Sequence, residues 1–276
     1  QIHIKGREFA YTIDRRTALF TEMKFAGREY LNHPMELNIW RAPTDNDMYI
    51  KAEWKKAHYD KAYTRAYTTE VVQVKHGVKI VSHASVVAET VQKILDVTIT
   101  WKIDASGKID ADIEATKDGE FPDLPRFGVR MFLDKKLSDA RYFGMGPQES
   151  YRDKHQAASH GLYRANVRDL HEDYIRPQEN GSHYDCGYVE LNNSRYGMAA
   201  FSESTFSFNA SYYTQEELEK KTHNYELAES DSVVLCVDYA LNGIGSNSCG
   251  PVVLDQYRFD DVLFRFQFTL VPYVKG

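Results

Sequence analysis

Leu95-Asp96-Val97-Thr98-Ile99-Thr100-Trp101-Lys102-Ile103, the run Asp104-Ala105-Ser106-Gly107, and Ile109-Asp110-Ala111-Asp112-Ile113-Glu114-Ala115 decide the fold class. Apolar and polar residues alternate on both sides of a turn sequence. A period of two puts every apolar side chain on one face, which predicts a hairpin with one face on a core and the other in water. The alternation returns in Phe9-Tyr11-Ile13, Val129-Met131-Leu133, Phe206-Phe208-Ala210-Tyr212, Val233-Leu235-Val237-Tyr239 and Phe264-Phe266-Phe268-Leu270. Helical signals are few. Thr214-Gln215-Glu216-Glu217 fits a capping box opening a short helix to about Lys221. Glu53 to Ala62 fits another turn or two, with Trp54, Ala57 and His58 on one side. Sheets with one apolar face must bury it against another layer, so the expected fold is all-β, made of stacked antiparallel sheets.

Gly144 to Asn193 is the least periodic region and reads as long ordered loops. No linker or low-complexity tract divides the chain. Residues 1–276 are therefore read as a single β-sandwich domain, although a prior of roughly 150 residues per domain would allow two. The net charge of −6 argues against nucleic-acid and anionic-membrane partners, which require a basic surface. No run approaches the roughly 18 apolar residues of a membrane span. Tyrosine dominates the aromatics, 19 against 14 phenylalanines and 3 tryptophans, and its flat body with a polar tip suits strands and sugar-facing surfaces. Three cysteines without a C-x-x-C pair form neither a disulfide framework nor a zinc knuckle; free thiols lean towards a reducing, cytoplasmic compartment. The chain starts at Gln1 without a basic-then-apolar leader, and is expected to be cut from a longer polypeptide.

Several constellations invite chemistry. Glu149 and Glu179 sit in echoing Pro-Gln-Glu turns, but among 40 acidic residues such pairs arise by accident, and tying loop backbone together is the better reading. His183, Asp185 and Cys186 offer metal-ligand types without a standard spacing, so a buried, locally hydrogen-bonded set is expected. Gly243-Ile244-Gly245 lacks the helix that a phosphate loop needs. Cys249 lies in a turn with no activating histidine beside it in sequence, which favours a small packing residue. Arg41-Ala42-Pro43-Thr44-Asp45-Asn46-Asp47 differs: an arginine and several acceptors crowd one short stretch. It either braces a loop through Asx turns or offers partners to sugar hydroxyls.

That stretch, with Trp54-Lys55-Lys56-Ala57-His58-Tyr59, Leu124-Pro125-Arg126-Phe127-Gly128, Gly144-Met145-Gly146-Pro147-Gln148-Glu149-Ser150-Tyr151, Pro177-Gln178-Glu179-Asn180-Gly181 and Gly243-Ile244-Gly245-Ser246-Asn247-Ser248, resembles the C-terminal domain, or separate small chain, of the bacterial β-galactosidases of glycoside hydrolase family 2. The blocks run in family order along nearly the whole chain. The resemblance implies a large antiparallel supersandwich, galactose mutarotase-like. It implies a complete enzyme that hydrolyses terminal β-D-galactosides with retention, its catalytic glutamates in an upstream (β/α)8 barrel or large subunit, so no catalytic residue, metal or cofactor is expected here. The full enzyme is expected to be a homo-oligomer. The resemblance places Asp45, Asn46, Asp47 and Tyr49, with Asn247, Ser248 and Cys249, beside the galactoside. The best-known member carries a tryptophan platform where this chain has Cys249, and a thiol offers no π-face to a sugar. The segment between Asp47 and Trp54 is also shorter than in that member, where it is a mobile loop. The rival expectation is a free-standing carbohydrate-binding or mutarotase-like sandwich; a purely structural interaction domain is the third.

Overall fold

A computed structural model describes residues 1–90 and 93–275. Strands β1 (Ile2–Lys5), β2 (Phe9–Ile13), β3 (Phe20–Phe25) and β4 (Arg28–Glu29) form a small antiparallel sheet in that order. The larger sheet contains β5 (Leu31–Asn38), β6 (Tyr63–Val74), β7 (Gly77–Val87), β8 (Leu95–Asp104), β9 (Ile109–Lys117) and β10 (Arg126–Asp134). It also contains β11 (Asp139–Gly146), β12 (Ser159–Asn166), β13 (Ser182–Asn192), β14 (Tyr196–Ser211), β15 (Ser232–Leu241) and β16 (Leu263–Val274). Two short helices, α1 (Ile50–Lys56) and α2 (Gln215–Lys220), complete the regular structure with a few 3₁₀ turns.

The hairpin expected at residues 95–115 is β8 and β9, paired from Leu95↔Lys117 to Ile103↔Ile109. Its inward side chains are buried, Trp101 completely. Each buried leucine, isoleucine or valine among them contributes about 1.5–3 kcal/mol. In the turn, Asp104 Oδ1 accepts from the Ser106 and Lys108 amides, and Gly107 adopts a φ of +90° that its missing Cβ permits.

The large sheet forks at β14. Along one side β14 pairs with β13; along the other, its first half pairs with β16 and its second half with β15. One wing continues β16-β9-β8-β7-β6, the other β15-β10-β5. The wings meet through apolar faces: Phe127 of β10 lies edge-on to Phe264 of β16, centroids 4.9 Å apart, and Tyr239 of β15 stacks on Phe264 at 5.0 Å.

Three expectations need correction. Residues 144–193 are not all loop, because they hold β12 and β13. The alternation in β13 is broken by a register shift between His183 and Cys186, and the buried positions of its first half are Ser182, His183 and Cys186, with buried aliphatics only further on at Val189 and Leu191. The helix placed at 53–62 starts earlier and stops at Lys56; His58 takes a left-handed φ of 58°, ending it before a separate 3₁₀ turn at Tyr59–Lys61. Finally, Thr214 caps α2 by accepting from the Glu217 amide, but the Glu217 carboxylate accepts from the Ala228 amide instead of closing the box.

Candidate functional site

The six sequence blocks lie far apart in the chain and pack together in space. Arg41, fully buried, makes the central junction. Its Nη2 and Nε donate to the two carboxylate oxygens of Asp47 at 2.7 and 3.2 Å, while Nη1 and Nη2 donate to the carbonyls of Asn242 and Gly243 at 2.6 and 3.1 Å. A fork of five donors suits this fan of acceptors, and a lysine point charge would not. Asp47 Oδ2 also accepts from the Thr44 amide and hydroxyl. Loop and turn are thereby held as one unit.

Around this junction Trp54 lies edge-on to Trp40 and donates its Nε1–H to the Asp123 carbonyl. Gln178 accepts from the Asp45 amide, and the Glu179 amide donates to the Ala42 carbonyl. Asp153 accepts from the amides of Ile244 and Gly245 at 2.9 and 2.7 Å, fixing the Gly-Ile-Gly turn from below. Asn46 spans the two stretches: its Nδ2 donates to the Gly245 carbonyl at 2.7 Å, and its Oδ1 accepts from the Ser248 hydroxyl at 2.8 Å.

What this frame surrounds is an open cavity of ≈ 440 Å³, lined among others by Asn46, Asp47, Tyr49, Asn242, Asn247 and Arg258. Tyr49 is 63% exposed, so its ring stands free at the rim. Asn247 lines the cavity; Ser248 lies beside it through Asn46. Cys249 is exposed on the outer turn and is not the packing residue expected. Asp45 bonds to Gln178 Nε2 at 3.3 Å. Asp47 forms part of the wall with both oxygens taken by Arg41 and Thr44. Ile50 and Glu53, from the segment after Asp47 that the resemblance singled out, complete the lining with Asp123, Val252 and Val253; Asp123, Asn242, Val252, Val253 and Arg258 were missed in the sequence. Arg258 donates to Asp123 Oδ2 at 2.7 Å, and that carboxylate holds the guanidinium above its ordinary value.

Glu149 and Glu179 belong to the frame. Glu149 accepts from the Gly181 amide, from Lys154 and from the Tyr174 hydroxyl. Glu179 is buried beside Arg126, whose other donors meet both oxygens of Asp238 at 3.1 and 2.5 Å. Burial pushes the Glu179 carboxyl up, against the pull of Arg126 and Arg41. Burial also works against the Arg126 charge, but its carboxylate neighbours outweigh it and raise the guanidinium well above its usual value. Among the described residues, no group of three or more His, Cys, Asp or Glu is placed to hold a metal ion.

This forked, two-winged antiparallel sandwich is a galactose mutarotase-like supersandwich. Two solved structures share it at the level of fold. One is a galactose mutarotase-like protein from Lactobacillus casei, with TM-score 0.51, 12% identity and 99% coverage of both chains. The other is a galactose 1-epimerase from Lactobacillus acidophilus NCFM, with TM-score 0.52, 8% identity and coverage of 99% of this chain and 94% of that one. The family model for the beta galactosidase small chain matches residues 5–270, and the chain belongs to that family. It is 44% identical to a beta-galactosidase of Actinobacillus pleuropneumoniae over 98% of its length, and 37% identical to one of Staphylococcus xylosus over 96%. It spans 27% of the length of each of these relatives.

Proposed function

We propose that the chain walls the active-site mouth of a β-galactosidase that cleaves terminal β-D-galactosides with retention, through a covalent galactosyl-enzyme intermediate. The glutamates doing that chemistry belong to a (β/α)8 barrel, in the same polypeptide or a partner subunit, outside these 276 residues. The observation that carries this reading is the Asn46 clamp. It joins two stretches some 200 residues apart, 199 to Gly245 and 202 to Ser248, over one cavity, and Arg41 locks both from behind. The likeness to beta-galactosidases about four times as long supports a partner that completes the site. In this role Asn46, Asn247 and Ser248 offer donors and acceptors to a sugar, Tyr49 offers a ring face at the rim, and the wall excludes water from the reacting centre.

The test has two arms. The chain alone is expected not to hydrolyse a chromogenic galactoside; turnover at an enzyme-like rate would overturn the division of labour. In the longer polypeptide, Cys249→Trp adds an aromatic face at the rim and is expected to shift KM for the galactoside severalfold with kcat less affected. Unchanged KM and unchanged inhibition by galactose would remove the turn from the pocket.

A further inference from the structure

The outer face of the large sheet changes character along one row of side chains. Phe143 of β11 stands opposite Leu162 of β12 on one side and Tyr188 of β13 on the other, and Tyr188 stands opposite Phe201 of β14. Partners in register share a face, and strands lie about 4.8 Å apart, so these four side chains form an apolar band about 14 Å across. Leu162 is 55%, Phe143 46% and Phe201 39% exposed. Followed into the next strands, the same row becomes Thr269 of β16, Asp110 of β9 and Lys102 of β8. There the Thr269 hydroxyl donates to Asp110 at 2.8 Å, and nearby Arg265 donates to both oxygens of Asp112 at 2.7 and 2.5 Å. A sheet face in water carries this second pattern; the first marks a face that another protein surface covers.

Charge beside the band says what covers it. In the next row Arg141 and Arg164 stand directly opposite each other, a placement of like charges that costs stability while nothing lies between them. Neither guanidinium has an ion pair or a side-chain hydrogen bond among the described residues, and Arg141 Nε is buried without a partner. The carboxylates lining the same concavity do not serve them. Glu190, opposite Arg141 on β13, accepts from the Tyr273 hydroxyl at 2.7 Å, and Asp139 accepts from Asn166 Nδ2 at 3.3 Å. Asp169 is exposed and forms no ion pair with either arginine. Aromatic side chains and arginines together are the composition enriched where proteins meet, and the group that accepts from two guanidiniums at once is a carboxylate. We propose that this face seats another part of the longer beta-galactosidase. That part lays an apolar strip on Leu162, Phe143, Tyr188 and Phe201 and sets carboxylates on Arg141 and Arg164. The proposal rests on the reading that a further domain or subunit completes the chain, which spans 27% of each relative; it adds where that neighbour sits and what it presents.

The experiment is hydroxyl-radical footprinting of Phe143, Tyr188 and Phe201 in the 276-residue chain and in the longer polypeptide, with thermal midpoints measured on both. The three rings are expected to oxidise readily in the chain alone and severalfold more slowly in the longer polypeptide. Arg164→Glu, at an exposed position, is expected to act with opposite signs. In the chain alone it relieves the opposed charges, and the midpoint holds or rises. In the longer polypeptide it sets like charge against the partner's carboxylates, so the midpoint falls and oxidation of Phe143 climbs. Equal oxidation in both proteins overturns the proposal. So does protection in the chain alone that grows with its concentration, which makes the occupant a second copy. Protection unaltered by Arg164→Glu removes the carboxylates and overturns the proposal as stated. Cleavage of a chromogenic galactoside reads the enzyme role separately: an active longer polypeptide with this face open sinks the proposal alone, and an inactive one with the face covered sinks only the enzyme role.

Discussion

His183 shows how one side chain can be placed in the sequence and misjudged in its setting. It stands beside Asp185 and Cys186, and the expectation of a buried, locally bonded set is met for two of the three: His183 Nδ1 lies 3.2 Å from the Met145 carbonyl and the Cys186 thiol donates to the His183 carbonyl, whereas the Asp185 side chain is 41% exposed. The setting is nevertheless a strand, with the imidazole between Tyr142 and Phe208 at 4.4 and 5.0 Å. Burial lowers its pKa to about 4, although the Met145 carbonyl and Glu149 favour the proton. An unfolded histidine titrates near 6.5, so between these values the unfolded chain takes up a proton that the folded chain refuses. The neutral ring's contribution is therefore complete above about pH 6.5 and falls away as pH drops towards 4, by about 3 kcal/mol in all. His183→Phe keeps an aromatic ring in the stack and removes the titration. Urea midpoints from pH 4 to 8 are expected to show the wild type losing stability relative to the variant over that window. Parallel curves would mean that the ring is protonated in the native state or open to water. The site residues divide in the same way: Arg41 and Asp47 stand six apart and invite pairing, but Asn46 meeting Ser248 is a contact no local pattern encodes.

Elements were legible where one face is dry and the other wet. β8, β9 and β16 alternate because they lie inside one wing with polar residues outward. β6 gave no signal: it is an edge strand exposed along most of its length, so neither face selects a period. The fork in β14 was equally silent. Ser202 to Thr205, where the neighbour changes from β16 to β15, are polar and largely exposed, and read as an ordinary interruption. Gly128 is different, since its block was recognised but its reason was not. It sits at the register shift of β10 on β15, where an added Cβ would lie 2.2 Å from the Val237 carbonyl oxygen and 2.5 Å from Asp238 Oδ1. Backbone on one side and a buried carboxylate on the other leave no yielding neighbour. Gly128→Ala is expected to cost about 3 kcal/mol or more, by overpacking and by prising Asp238 from Arg126. A thermal midpoint within a degree of wild type would show that the strands slide apart freely at this point.

At the scale of the molecule, the question is whether the small sheet stands alone. Four strands, one of two residues, enclose no core of their own. Their buried faces turn on the large sheet instead. Phe20 of β3 lies edge-on to Trp101 of β8 at 4.9 Å, and Trp101 continues to Phe268 of β16 at 6.5 Å. Three hydrogen bonds cross the same junction: Trp101 Nε1 to the Ala18 carbonyl, Tyr11 to the Gly107 carbonyl, and Tyr30 to the Tyr273 carbonyl. Trp101 is thus the hinge-pin of both layers, and removing it leaves a hole that neither sheet can close alone. Trp101→Ala is expected to cost about 3–5 kcal/mol. If the chain is one folding unit, that loss moves the whole transition: in the variant, tryptophan emission from Trp40, just after β5, and Trp54, in α1, moves to lower denaturant together with far-UV circular dichroism. If emission and dichroism separate, the small sheet melts while the site around Arg41 persists. The reading of residues 1–276 as one domain then fails, and the frame that holds the cavity is the large sheet by itself.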